Sequence, residues 1–581
     1  MKKLVVYLLS IIICLSIFKG CVNSNGTKNS SEGSASSQSS QGSTDNTIRE
    51  TSFGPVQGYK DNKSNVYIWK GIPYAKAPVG NLRWKAPQDP DKWTKTYDAT
   101  KSGQIGIQYT SGKTVGSEDC LNLDVYSPDT EDKDLPVIVY IHGGNNQTGQ
   151  SSEIDGRTLA NDSKCIFVSL NYRLGVLGFN CLPALRTGNS EEDSGNYSLL
   201  DIAKALDWVK SNISVFGGNA DNITVSGFSA GGRDVMAMLI SPIFKGKFNK
   251  AISFSGGMTT SDISDSTAVI AKALAPFVVE DKVKATTNEA AEWLQSSDES
   301  VKTYLYGLSA ERLTTVMQNA GIRMSAFPHL FRDGTVLPKE GFDTKNYNSV
   351  DLLMLTGTSE FSLFAAGDPY FSASYKDGTL FTNSTKHSEY LFAKKYGSLL
   401  YELFNAQESA QKMCSNYKAK IYNCTVTYGE NASVVGTAMA NFGAFHGVFV
   451  PLIDKNNATY QKMFADGYST KGVQSLGKQL REYIKNFLYN GDPNGESLTE
   501  WKSFSAADYG QTLVLDADKN NAAVKMEDRS ISYDDVLKQM EQDTTISEAS
   551  KSELIKKVLN GRWFSSTLDK HFENSNLWQD K

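Results

Sequence analysis

Histidine is scarce in this chain, with five among 581 residues, and cysteine is nearly as sparse at seven. None of them falls at the spacing of a metal cage, so a structural zinc module is excluded and no metal or organic cofactor is expected. An excess of charge of one sign is also missing. The net charge is −5 from 59 basic and 64 acidic side chains, with no long basic run and no glycine-aromatic signature, which excludes nucleic acid as an expected partner. What remains is a chain long enough for a substantial core, whose acid-base chemistry must draw on a short list of imidazoles.

The first segment, "MKKLVVYLLSIIICLSIFKGC", sets two lysines before an apolar run too short and too close to polar sequence for a membrane span. Residues 1–20 read as an export signal. Cys21, after Gly20, resembles the lipidated residue of bacterial lipoprotein signals, although Phe18 and Lys19 depart from the usual small-residue box. Residues 21–48 contain almost nothing apolar to bury and are expected to form a flexible spacer. Together they predict an exported protein held by a lipid anchor at the outer face of the bacterial cell membrane, or otherwise secreted. Five cysteines remain in the body, an odd number. Cys414 and Cys424 are near enough in sequence to close a small disulfide loop, and Cys165 in "KCIFVSL" reads as a buried strand thiol.

From residue 49 the chain opens with a β-rich stretch, "SFGPVQGYKDNKSNVYIWKGIPYA". It continues with short β-branched runs closed by glycine or polar turns: "LPVIVYIHGG", "CIFVSLNYRLG", "NITVSGFSAGG", "KAISFSGG" and "VDLLMLTGTSE". Between two of them Leu200, Ala203, Leu206, Val209 and Ile213 recur at helical spacing. This alternation predicts an α/β fold in which helices flank a large, mostly parallel sheet entered through antiparallel strands. One domain is expected over 49–545, followed by a helical tail over 546–581.

The stretch "NITVSGFSAGGRDVMAML" places Ser229 between Gly227 and Gly231. A Gly-x-Ser-x-Gly pattern alone is weak, but here a strand runs into it and a helix leaves it, the context of a nucleophile elbow. A serine hydroxyl needs a base. His142 precedes the glycines of "IHGG", His329 lies in "FPHLFRDG", and His387 and His571 stand in polar surroundings without a motif. His446, in "NFGAFHGVFVPL", follows both the serine and an acid, Glu360 in "LTGTSEFSLF", which gives the chain order serine, acid, histidine of α/β-hydrolases.

The ordered stretches "GIPYAKAPVGNLRW", "SEDCLNLDVYSP", "LPVIVYIHGG", "NYRLGVLGF", "SVFGGNADNITVSGFSAGG", "FRDGTVLP", "GTSEFSLF", "GAFHG" and "YNGDPNG" resemble the type-B carboxylesterase family from about residue 50 to 520. The resemblance implies an α/β-hydrolase fold and a serine carboxylesterase acting on small-molecule esters through an acyl-enzyme. In it Ser229 is the nucleophile, Glu360 the acid and His446 the base, and the N–H groups of Gly144, Asn145 and Ala230 form the oxyanion hole. It also implies structural ion pairs Arg83–Glu118 and Arg173–Asp201. The family includes members that lost catalysis, so a binding or adhesion module is the alternative, with a lipase or peptidase as a further variant; the complete triad favours the esterase. Four departures stand out. Asn145 replaces the usual glycine or alanine, and Gly106 removes the disulfide partner that some members offer to Cys120. Phe228 and Phe449 stand where the family usually carries two acids. Replacing both acids together avoids an unpaired buried carboxylate, and predicts that the two rings meet beside the histidine as an apolar substrate pocket favouring uncharged esters.

Overall fold

The computed structural model describes residues 47–317 and 327–574. The export signal, Cys21 and nearly all of the spacer lie outside the described residues; Ile48, assigned to the spacer, already opens the strand Ile48–Thr51.

Among the described residues the main sheet has eleven strands. In chain order they are β1 (Tyr59–Asp61), β2 (Val66–Pro73), β3 (Asn122–Pro128), β4 (Leu135–Ile141), β5 (Ile166–Leu170), β6 (Gly218–Phe228), β7 (Lys250–Phe254), β8 (Asp351–Gly357), β9 (Ile421–Val426), β10 (Gln511–Ala517) and β11 (Ala522–Asp528). Their spatial order is β11-β10-β9-β8-β7-β6-β4-β5-β3-β2-β1. The pairings from β5 through β4, β6, β7, β8 and β9 to β10 are parallel. Antiparallel pairings join β5 to β3, β3 to β2, β2 to β1 and β10 to β11, so the antiparallel entry sits at one edge as expected.

A sheet covered on both faces must bury every residue of its central strands, and β3, β4 and β5 do so throughout. The two-residue period divides β4 between two cores: Val137, Val139 and Ile141 join one, Ile138 and Tyr140 the other. The helix α1 (Tyr197–Asn212) buries Leu200, Ala203, Leu206 and Val209, the stripe read from the sequence. Its Asp201 receives Arg173 in a buried bidentate pair at 2.8 and 2.6 Å, and Arg83 grips Glu118 through two bonds of 2.7 Å. These pairs sit where the resemblance placed them.

The C-terminal tail is helical over Glu548–Leu554 and Ser566–His571. It does not stand apart from the body: Leu554, Val558, Leu559, Trp563, Phe564 and Leu568 belong to the same core as Phe228 and Phe449. The Cys414–Cys424 loop that their spacing allows is not formed, and all five body cysteines are free thiols. Cys424 lies mid-strand in β9 within the core, whereas Cys414 follows the helix Glu408–Met413 near the surface, so the two sulfurs face different surroundings. Cys165 is the buried thiol that its strand context suggested.

Candidate active site

The site assembles at the carboxyl ends of neighbouring parallel strands, where open α/β sheets place their crevices. Ser229 follows β6 and precedes the helix α2 (Ala230–Met238) with φ 58° and ψ −116°, a conformation that a non-glycine residue rarely holds. The surrounding glycines allow it. A methyl on Gly227 would lie 2.3 Å from Gly231 C, one on Gly231 2.1 Å from the Ile141 carbonyl, and one on Gly232 2.9 Å from the Phe254 carbonyl. Strand, turn and helix therefore pack backbone against backbone, and the sharp bend leaves the Ser229 side chain partly exposed at the sheet edge.

Glu360 follows β8 and is buried, with three donors on Oε1: Ser255 Oγ at 2.6 Å, Gly357 N at 2.7 Å and Thr356 Oγ1 at 3.2 Å. Its Oε2 meets His446 Nδ1 in a short hydrogen bond. That contact fixes the tautomer and points Nε2 away from the carboxylate. The acid loop and the histidine loop are tied together, because Glu430 accepts from Ser359 Oγ at 2.5 Å and from Ala444 N at 3.2 Å, while Ser359 N donates to the Ala444 carbonyl at 3.0 Å. The other imidazoles do not join this arrangement. His142 stacks on Tyr172 with centroids 4.4 Å apart, and burial pushes it down to about 4. His329 is buried and shifted the same way, His387 is half-buried against Phe381 on the helix Ser384–Glu402, and exposed His571 pairs with Glu541 at 2.7 Å.

The loop after β4 carries the glycines expected to hold an oxyanion. Gly144, Asn145 and Asn146 all have positive φ, at 89°, 57° and 58°. Among the described residues Gly144 N–H donates to no backbone carbonyl. The turn is pinned by buried side chains: Gly143 N donates to Glu153 Oε2 at 2.9 Å, Tyr140 donates to the same oxygen at 2.7 Å, and Asn146 Nδ2 donates to Asp234 Oδ1 at 2.8 Å. Asn145 Oδ1 accepts from Arg233 Nη2 at 2.6 Å, which draws the unusual side chain toward α2. Burial raises Glu153 and Asp234 each to about 7.

Phe228 and Phe449 are in edge contact, their centroids 5.1 Å apart, and Phe228 lies 4.6 Å from the His446 ring. Phe254 stacks on Phe449 at 4.6 Å. Direct contact holds, but the pocket expectation needs correction: the two phenylalanines are 1% and 0% exposed, so they back the imidazole rather than line an open cleft. Sequence reading missed Ser255, Glu430, Glu153 and Arg233. Ser255 could have been found, because "SFSGG" ends the strand next to β6; Arg233 reaches Asn145 and Glu430 reaches Ser359 across long separations, and Glu153, though near Gly143 in the chain, carries no motif.

Residues 45–418 match the model of the carboxylesterase family. A para-nitrobenzyl esterase of Bacillus subtilis is 32% identical over 502 residues, covering 81% of this chain and 95% of that protein. The chain belongs to the carboxylesterase family. Rat carboxylesterase 1D is 27% identical over 548 residues, covering 84% of this chain and 92% of its own. Among solved structures, a PNB esterase superposes with a TM-score of 0.66 at 30% identity over 84% of this chain and all of its own, and a thermophilic PNB esterase with 0.67 at 28% over the same shares. The protein is therefore a carboxylic ester hydrolase on an α/β-hydrolase fold. The family match ends at residue 418, so it spans Ser229 and Glu360 but stops short of His446.

Proposed function

We propose that this esterase works through Ser229, His446 and Glu360 and forms a covalent acyl-enzyme. His446 Nε2 takes the proton of Ser229 as Oγ adds to the ester carbonyl, and Glu360 stabilises the resulting imidazolium. The carbonyl oxygen, now negative, is received by the N–H groups of Gly144, Asn145 and Ala230; each such donor contributes roughly 2.7–4 kcal/mol by the effect of removing one. His446 returns its proton to the departing alcohol, and water then repeats the sequence to release the acid. The observation that carries this reading is the strained Ser229 at the end of β6, with the Glu360–His446 pair on adjoining loops of the same sheet edge.

Uncharged esters are the preferred class in this reading, since aromatic rings stand at both positions where the family carries these two acids, and Glu360, the carboxylate that remains beside the imidazole, is itself buried. A panel of short and long acyl esters, run with and without a serine-directed phosphonate, tests the proposal. Hydrolysis abolished by stoichiometric phosphonate supports it, and phosphonate-insensitive turnover refutes it. For location, export and lipidation at Cys21 rest on the first 21 residues alone. Cys21→Ser should change processing and release the protein from the membrane fraction. A native protein found wholly free with a different N-terminus would overturn the anchor.

A further inference from the structure

Two carboxylates serve the loops that leave β8 and β9, and only one of them takes part in the chemistry above. Glu360 receives three donors on Oε1 and offers Oε2 to His446. Glu430, on the loop after β9, repeats that pattern. Its Oε1 accepts from Ser359 Oγ at 2.5 Å, Thr358 Oγ1 at 3.2 Å and Ala444 N at 3.2 Å, and its Oε2 accepts from Lys394 Nζ at 3.4 Å. Ser359 immediately precedes Glu360, and Ala444 stands two residues before His446. A single carboxylate oxygen is therefore bonded to the neighbours of both the proposed acid and the proposed base.

The surroundings are shaped to hold that carboxylate in one place. Gly443 has φ 68°, and a methyl on it would lie 2.4 Å from both oxygens of Glu430, so the histidine loop leaves room for the acid only because this residue has no side chain. On the other side Lys394 comes from the helix Ser384–Glu402 with its side chain 12% exposed, and it also donates to the Asn441 carbonyl at 3.5 Å. Burial pulls the Lys394 ammonium down, and the charge of Glu430 works against that. The two loops also meet directly, through Ser359 N and the Ala444 carbonyl at 3.0 Å. Glu430 adds a side chain from a third element to that backbone contact.

We propose that Glu430 is a positioning residue of the esterase: it holds the Glu360 loop and the His446 loop at the separation that their short hydrogen bond requires, and Lys394 holds Glu430. This rests on Glu360 and His446 being the acid and the base. Glu430 acts through Ser359 and Ala444 and not on the imidazole itself. A base must stay within hydrogen-bond reach of the proton it takes, so a small rotation of either loop lowers turnover. Substrate affinity does not depend on that alignment, and the loss falls on kcat.

The test measures kcat, KM and Tm for the full chain with p-nitrophenyl butyrate. Glu430→Ala should lower kcat about 10- to 100-fold with KM within about twofold of wild type, since misalignment of that order costs as much. Glu430→Gln keeps an oxygen acceptor for Ser359 and Ala444 and should recover most of the loss. Gly443→Ala displaces the carboxylate without removing it, so it should lower kcat in the wild type and cause no further loss in Glu430→Ala. An unchanged kcat in folded Glu430→Ala overturns the proposal, and so does a loss carried by KM, a Glu430→Gln variant as impaired as Glu430→Ala, or losses of Glu430→Ala and Gly443→Ala that multiply. If Glu430→Ala does not fold, an unchanged kcat in folded Gly443→Ala overturns it equally. Glu360→Gln and His446→Ala in the same assay separate the two readings. Activity lost in both but retained in the Glu430 variants sinks only the role of Glu430, whereas wild-type activity in either sinks the triad beneath it.

Discussion

Two turns meet at the proposed reaction centre, and they are built by opposite means. The elbow at Gly227–Gly232 holds its strained serine because side chains are missing: backbone occupies the space where methyl groups would stand. The proposed oxyanion loop, a few ångströms away after β4, is held by buried polar side chains outside the loop, chiefly Glu153, Arg233 and Asp234. The first device is rigid at no electrostatic cost. The second places acids raised to about 7 beside the chemistry, which makes its grip sensitive to pH.

The largest expected effect lies at the elbow. Ser229→Ala and His446→Ala should each lower ester hydrolysis by at least about 10^4-fold without unfolding the protein, because the groups act as a unit. Glu360→Gln should cost about 10^4-fold, since the three donors on Oε1 hold the amide oxygen and turn its NH2 toward His446 Nδ1, which imposes the wrong tautomer. Substantial activity in either of the first two variants would remove the elbow from the mechanism. Gly231→Ala sharpens the contrast from the structural side. Its methyl would lie 2.1 Å from the Ile141 carbonyl, so soluble, folded protein should be lost. A variant with wild-type Tm would mean that backbone contact does not shape this turn.

The apolar backing behind the imidazole comes next. Phe228→Glu places an unsupported carboxylate among Phe254, Phe449 and His446 and should cost about 3–5 kcal/mol of stability. Adding Phe449→Glu should recover part of that stability through sharing of a proton between the two carboxyls. Additive losses, measured by denaturant melts of the single and double variants, would show that the two positions do not communicate.

The oxyanion loop gives smaller and pH-dependent effects. Glu153→Ala frees Gly143 N and should lower kcat by up to about 10^2-fold with KM nearly constant. Glu153→Gln keeps an acceptor and isolates the charge. Burial raises this carboxyl from 4.5 to about 7, so across that interval the folded protein retains a proton that the unfolded chain has lost. Its contribution to stability is therefore greatest at low pH and falls as pH rises toward 7. Thermal melts of Glu153→Gln between pH 4.5 and 7 should decline less steeply than those of the wild type. Parallel profiles would place the titration elsewhere. The smallest expected change is in Asn145→Gly, which opens room beside the oxyanion and should raise the rate on tertiary-alcohol esters relative to primary ones by several-fold. Comparable native rates on both substrates would already contradict that role.

The same contrast explains what the sequence disclosed. Glycines at fixed distances from Ser229, and β-branched runs ending at Phe228, Phe254 and Gly357, are local patterns, so the elbow, the parallel sheet and the order of serine, acid and histidine could all be read from the chain. Scarcity of histidine made elimination feasible. Glu153 and Arg233 could not be found this way, because each acts on a loop to which no spacing ties it. Phe228 and Phe449 drew notice only as departures from a family pattern, and their full burial depended on Phe254 in a neighbouring strand. The tail was legible only as helical; its insertion beside Phe364 and Tyr401 is a tertiary event.

The account stands on Ser229 as the acylated residue. Incubation with a p-nitrophenyl alkylphosphonate, followed by proteolysis and mass mapping, tests it directly. One phosphonyl group on Ser229 in the wild type is predicted, with labelling slowed by orders of magnitude in His446→Ala and inactivation proportional to occupancy. A label on another residue, or full activity in protein fully labelled at Ser229, would contradict it.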